Sequence, residues 1–454
     1  MTTTLCTPQT LPLAEPKGYP LIGHALSYRR NPLGFYTDCA RYGDLVRLNF
    51  GPHLVYFFNH PDLIKAVFMA HGSSFLGRAK GRESQLFGPL FGHGLSVSGG
   101  SFWRRQRRLT QPIFQRQHLA NYGAIAVELT QSALDVWEDG STLEMRQEMI
   151  GLTRQIVSCI TFGEAGIIDF PVIEAPLEAS LQEYDKRDRN WLRYLLPNEF
   201  PTPSNRRYLQ AVQHLDDWIY QLIAARRRQK PAGDMLSLLQ QVRDETGQGM
   251  TDQELRDELL NVVVGHDPIA DVFCWAWWQI AQHPEVEAQL QAEWEAVLQG
   301  RPPTMEDLPK LVYTEQVVKE TLRLYPLAWS TGRVATQDCE IADIPIHAGE
   351  NVVMCQWVTH RDARFFPDPE CFIPERWAPE RAKKIPAYAY YPFGGGPRVC
   401  IGRGLTMMET VLILATIGQR FRLRPRPRRP VVPYPGPSFS IRPKYGLPME
   451  LIAR

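Results

Sequence analysis

Phe393-Gly394-Gly395-Gly396-Pro397-Arg398-Val399-Cys400-Ile401-Gly402 is the stretch on which the reading of this chain turns. Consecutive glycines let the backbone turn sharply and approach a neighbouring side chain closely. A helical pattern follows over 403–420, so Cys400 stands just ahead of a helix N-terminus. Backbone N–H groups and the helix dipole there favour the thiolate, the ligating form of cysteine. One cysteine cannot complete a tetrahedral zinc site, but it suits the single axial position of a haem. The other seven cysteines, at 6, 39, 159, 274, 339, 355 and 371, are scattered with no CxxC pair. That spacing predicts free thiols in a reducing compartment.

Outward from this loop the chain reads as mainly α with a smaller β-rich part, an α+β class. LVRLNF (45–50) and LVYFFN (54–59), separated by GPH, predict a hairpin. Helical patterns dominate from 101 to 325, and residues 333–355 turn strand-like again. Thr251-Asp252-Gln253-Glu254 has the form of a capping box. It opens an apolar pattern running to His283-Pro284, a helix of 33 residues and roughly 50 Å. Pro268 falls inside it, where the missing N–H and the clash with the Val264 carbonyl predict a kink. Residues 73–100 carry seven glycines and no period, which predicts a long loop.

Composition sets bounds. The 454 residues are 44% hydrophobic and 22% charged, which excludes a disordered or fibrous chain. A net charge of +1 gives no electrostatic footprint for nucleic acid. Length alone suggests about three domains. The absence of repeats and linker-like breaks predicts one instead, 1–454, with a Pro-rich arm over 1–20. No signal peptide and no apolar run of about 18–20 residues is visible, so a cytoplasmic protein without a transmembrane anchor is expected.

Phe393, Gly396, Arg398, Cys400 and Gly402 together resemble the haem-binding loop of the cytochrome P-450 family. The resemblance covers about 15 to 450 and includes Pro-Lys-Gly-Tyr-Pro-Leu-Ile-Gly-His near the N-terminus and His360-Arg361-Asp362. It implies the cytochrome P-450 fold, with haem b between the long central helix and the cysteine-loop helix, and Cys400 as the axial ligand to iron. Glu320-Thr321-Leu322-Arg323 places Glu320 and Arg323 on one helical face. With Arg376 of Pro374-Glu375-Arg376-Trp377, they match the family's buried structural cluster. Trp103 and Arg107, one turn apart, resemble the family's contacts to a haem propionate, and Arg333 and Arg398 its further cations. Arginine forks suit carboxylates geometrically.

What the resemblance implies for function is a monooxygenase that hydroxylates an apolar substrate, a fatty acid or terpenoid, with O2. Electrons would come from a separate ferredoxin- or flavodoxin-type donor with its reductase. Arg104, Arg105, Arg108, Lys383 and Lys384 are candidates for a basic docking face. Phe75, Leu76, Leu86, Phe87, Val263, Leu327, Ala328 and Trp329 are the apolar candidates for the substrate pocket.

The chain departs from the family at one place. Gly265 and Asp267 fit the family's oxygen-activating motif, but Pro268 takes the threonine position. No Ser or Thr lies between Asp252 and Pro303 to replace the hydroxyl. Water or a substrate hydroxyl could relay the proton in a working monooxygenase with Asp267 retained. Otherwise the enzyme is peroxide-driven or catalyses a rearrangement, or the proline carries no mechanistic meaning. A non-catalytic haem sensor is the reading from outside catalysis.

Overall fold

A computed structural model describes residues 12–51, 53–70, 75, 88–163, 174, 176, 178–179, 182–183, 202–229, 233–436 and 440–454, leaving aside the side chains of 70 and 267. In chain order come α1 (Ala25–Arg30), α2 (Pro32–Cys39), β1 (Leu45–Phe50), β2 (His53–Phe58) and α3 (Pro61–Lys65). Then follow α4 (Gly100–Thr110), α5 (Arg116–Leu134), β3 (Thr142–Glu144), α6 (Met145–Phe162), α7 (Pro203–Arg226) and α8 (Met235–Gln241). The centre of the chain holds α9 (Asp252–Gly265), α10 (Asp267–Gln282), α11 (Pro284–Leu298) and α12 (Val312–Leu324). Strands β4 (Thr331–Val334), β5 (Cys339–Ile341), β6 (Ile344–Ile346) and β7 (Asn351–Met354) precede the short α13 (Gln356–Thr359) and α14 (Pro379–Ala382). The last elements are α15 (Arg403–Arg420), β8 (Phe421–Pro425), β9 (Pro433–Pro435), β10 (Ile441–Pro443) and β11 (Pro448–Ala453). The protein is therefore mainly α with a small β part, and it divides into two compact units.

The first unit comprises 1–78, 328–371 and 382–400. Its sheet runs β1-β2-β7-β4, with β2 and β7 parallel and the other pairs antiparallel. Phe57 and Phe58 of β2 are both fully buried. Phe58 joins the core of Leu45, Leu63, Ile64, Val352 and Met354, while Phe57 meets the Tyr36 ring of α2 at 5.1 Å. A central strand covered on both faces explains the unbroken apolar run that the sequence shows there. Asn31 caps α2 by accepting the Gly34 N–H, and Pro32 supplies the preset φ of the first helical position.

The second unit comprises 79–327, 372–381 and 401–454. Its three-stranded sheet has the order β3-β11-β8. Around α10 the buried residues Ile269, Ala270, Val272, Phe273, Trp275, Ala276 and Trp277 cover every side of the helix, the pattern of a fully interior helix. Trp275 stacks on Tyr325 at 3.9 Å and donates its indole N–H to the Ile441 carbonyl at 2.6 Å. Helix α15 is equally apolar, with Leu405, Val411, Leu412, Ile413, Leu414 and Ile417 buried.

The long central helix is not continuous. Thr251 and Glu254 do form the reciprocal capping box, but α9 ends at Gly265 and α10 restarts at Asp267. The interruption lies at His266, two residues before the proline expected to kink the helix. Pro268 sits in the first turn of α10, where a missing N–H costs no helical hydrogen bond. The chain thus restarts a helix around its proline rather than bending one.

Candidate active site

The cysteine loop is built by backbone geometry in the first unit. Gly394 and Gly396 adopt φ of +71° and +64°, the left-handed region open to glycine. The Cys400 N–H donates to the Phe393 carbonyl at 2.9 Å, and the Gly394 N–H to the Tyr391 carbonyl at 2.9 Å. Tyr391 is fixed in turn, because its N–H donates to His360 Nε2 at 2.9 Å. His360 is fully buried, so the His-Arg-Asp stretch anchors the approach to the loop. A Cβ on Gly396 would lie 2.1 Å from the Phe68 carbonyl oxygen. Gly396→Ala should therefore displace the loop and cost about 1–3 kcal/mol. Thermal unfolding and haem retention would register it, and an unshifted melting point with full haem would refute the steric argument.

Cys400 is exposed at the end of this loop. Cys39, Cys274 and Cys355 are buried, and burial pushes the thiols of Cys39 and Cys355 up to about 12. Burial, and next to it Asp271, also raises Cys274 well above the usual thiol range. Such thiols stay protonated at neutral pH and make poor ligands. Cys6 lies outside the described residues.

Val67, Phe68, Phe75, Arg333, Gly395, Pro397 and Arg398 line one small cavity in the first unit. It juxtaposes apolar side chains with two guanidinium groups. Arg333 is buried, stands 5.5 Å from the Phe68 ring centroid and donates to the Gly332 carbonyl at 2.9 Å. Trp329, in the same unit, belongs to an aromatic core with Tyr28 and Tyr36 at 6.4 and 6.1 Å. Ala328 is half-buried. Leu76, Leu86 and Phe87 lie outside the described residues.

In the second unit the acid-arginine cluster closes around one carboxylate. Glu320 is fully buried and accepts from Arg323 Nε at 2.9 Å and Nη2 at 2.8 Å. Arg376 Nε reaches Glu320 Oε1 at 3.2 Å. Two further donors were not legible in the motif: the Ile373 N–H at 3.0 Å and the Trp377 indole N–H at 3.0 Å. Five donated hydrogen bonds explain how a charged group survives with no solvent contact.

At the helix interruption, His266 turns inward. Its Nε2 lies 3.1 Å from Glu409 Oε2 of α15, and both side chains are nearly excluded from solvent. Sequence reasoning assigned His266 no part, since its partner is 143 residues away. Gly265 is exposed, while Val263 is buried and Leu327 half-buried. Asp267 begins α10. Trp103 is buried and Arg107 half-buried on α4.

One expectation needs correction. Arg105 does not belong to a free basic face. It donates to Asp244 at 2.7 Å, Glu254 at 2.8 Å and the Gly249 carbonyl at 3.0 Å. A guanidinium saturated by two carboxylates and a carbonyl is structural. Arg108 pairs with Glu245, and Arg104 is exposed. Lys383 and Lys384 are exposed and belong to the first unit.

The family model for cytochrome P450 matches residues 13–447. The chain belongs to the cytochrome P450 family. Cyclooctat-9-en-7-ol 5-monooxygenase of Streptomyces melanosporofaciens is 36% identical over 415 residues, covering 91% of this P450 and 89% of the relative. Pentalenene oxygenase of Streptomyces avermitilis is 32% identical over 430 residues, 92% of each chain. Among solved structures, retinoic acid bound cyanobacterial CYP120A1 superposes with a TM-score of 0.85 at 24% identity. It covers 98% of this P450 and 100% of that chain, a likeness of fold. This P450 is accordingly a cytochrome P450 monooxygenase.

The family binds haem through a cysteine thiolate, and the residues present fit that group. Cys400 is exposed on a loop whose glycines pack against Phe68 and Tyr388. Among the described residues no cluster of three or more His, Cys, Asp or Glu could hold a metal by itself. A lone thiolate needs a macrocycle to complete its coordination. Arg333 and Arg398 border a small apolar cavity beside the cysteine loop, and their guanidinium groups are of the kind that binds the carboxylates of such a ring. Among the described residues no helix is long and apolar enough to cross a membrane.

Proposed function

We propose that this P450 hydroxylates a polycyclic terpenoid with dioxygen and electrons from a separate ferredoxin- or flavodoxin-type donor with its reductase. The observation that carries this reading is near full-length identity above 30% to two bacterial oxygenases whose names specify cyclooctat-9-en-7-ol and pentalenene. The apolar character of Phe75 and Val263 supports such a substrate. A spectral binding screen over terpenes, fatty acids, steroids and carotenoids tests it. Terpenoids should shift the haem spin state at the lowest concentrations, and a response confined to fatty acids would overturn the substrate class.

Within this reading the Cys400 thiolate would hold the haem iron. Arg333 and Arg398 would pair with haem propionates through their guanidinium groups, and the resemblance assigns Trp103 and Arg107 the same role. When bound, the haem would supply the oxidising chemistry. Gly265 leaves space beside the helix interruption, and Asp267 carries the proton path in place of a threonine hydroxyl. Phe393, Gly396 and Gly402 shape the loop around the sulfur.

A peroxide-driven or rearranging haem-thiolate enzyme is the second reading, favoured by Pro268 and by the lack of any Ser or Thr in α9 and α10. Pro268→Thr separates the two. It restores a hydroxyl at a position where α10 tolerates either residue. If proton delivery limits the monooxygenase, product formed per electron consumed should rise severalfold and peroxide-supported turnover should fall. Unchanged coupling and peroxide use would show that Pro268 does not shape catalysis.

A further inference from the structure

Residues 88–98 run across α9 as a strap fastened by side chains of that helix. Arg256 donates its fork to the carbonyls of Leu90 and Pro89 at 2.9 and 3.0 Å. Asp257 accepts the His93 N–H at 2.8 Å, and Glu258 the Leu95 N–H at 3.4 Å. Asn261 accepts the Ser96 N–H at 3.2 Å and donates to the Phe91 carbonyl at 3.3 Å. The approach is close enough to require glycine twice. A Cβ on Gly92 would lie 2.0 Å from Asp257 Oδ1, and one on Gly94 1.9 Å from Asn261 Nδ2.

One member of this set is not satisfied as an anion. Glu258 is 2% exposed, its long contact to Leu95 is its single hydrogen bond, and Oε1 has no partner. Asp257 is different, since it is paired with Arg256 at 2.9 Å. The charges around Glu258 are Asp257 and Glu254 on its own helix, with Asp216 of α7 held by Arg256 and Arg105 of α4 held by Glu254. His93 of the strap is exposed. Among the described residues, Asp257 and Glu254 are the charged groups that act on Glu258. Burial, reinforced by Asp257 and Glu254 against the Leu95 hydrogen bond, pushes its carboxyl up to about 8. A neutral acid tolerates a dry site with one donor, whereas a carboxylate there would face two other carboxylates.

We propose that Glu258 is the pH-sensitive positioning residue of this strap: as a neutral carboxylic acid it permits the closed arrangement that Arg256, Asp257 and Asn261 fasten, and its ionisation favours release. The strap is the described end of the loop assigned to the substrate side, so its link to substrate entry rests on the proposed function; the latch itself does not. When the strap opens, water reaches Glu258, which then loses its proton to solvent at an ordinary carboxylate pKa. The closed state retains that proton up to the raised value. Opening therefore releases a proton in this window and is favoured as pH rises through it. The opening constant should climb by up to about tenfold per pH unit between about pH 5 and 8, then level off.

Amide hydrogen exchange at His93, Leu95 and Ser96 in the haem-loaded full chain, corrected for intrinsic exchange and without substrate, tests this. Wild type should show the climb and plateau, and Glu258→Gln should show an opening constant independent of pH. A flat wild-type profile overturns the proposal without recourse to any variant. A variant that keeps the wild-type slope overturns it as well. Neither outcome touches the substrate class, which the spectral screen decides separately.

Discussion

Replacing Glu320 with alanine is expected to cost about 3–5 kcal/mol of folding stability, the usual penalty for leaving buried partner charges uncompensated. Arg323 has no solvent contact and Arg376 is 8% exposed, so neither guanidinium can recover its hydration when the carboxylate is removed. The Ile373 N–H and the Trp377 indole N–H lose their acceptor at the same time. Glu320→Gln should fail nearly as badly. An amide offers one carbonyl oxygen and two donors, and the donors would point at arginines. Domains have total stabilities of about 5–15 kcal/mol, so the alanine variant should melt far below wild type or fail to accumulate folded. Urea titration of both variants measures the effect. A loss below about 1 kcal/mol would mean that the cluster is surplus to the fold.

Replacing Cys400 with serine should have the opposite profile. The side chain is exposed, so the folding stability of the haem-free protein should change by less than about 0.5 kcal/mol. Hydroxylation should fall to background, and the absorption signature of haem-thiolate should disappear from the reduced, carbon monoxide-treated protein. Serine substitution at Cys39, Cys274 or Cys355 should leave that signature intact, because burial keeps those thiols protonated. Persistence of the signature in Cys400→Ser would move the ligand elsewhere.

Features held within a few residues were legible before any fold was known. The capping box at Thr251, the α15 boundaries at 403–420 and the glycine cradle of Cys400 all rest on short-range geometry. Glu320 and Arg323 were legible as a pair for the same reason, at i and i+3. Their other donors were not, because Trp377 lies 57 residues away and carries no charge to suggest a partner. The His266–Glu409 pair and the fastening of 88–98 onto α9 likewise depend on contacts across more than 140 residues. Arg105 was misread for the converse reason. A basic run on a helix predicts a solvated face, and only the tertiary arrangement brings Asp244 and Glu254 to one of its members. The helix interruption shows a subtler limit. A proline inside an apolar pattern announces a break, but whether it bends a helix or begins the next one depends on the capping of the residues before it.

As a terpenoid hydroxylase, the role proposed above, this P450 would insert an oxygen atom from O2 into a terpenoid C–H bond. Incubating the purified enzyme with a polycyclic terpene, ferredoxin, its reductase and 18O2 tests it directly by mass spectrometry of the product. Each new hydroxyl should carry one labelled oxygen, and none should form when the electron donor is omitted. Unlabelled product formed only with added hydrogen peroxide, or no oxygenated product from any terpenoid that shifts the haem spin state, would contradict it.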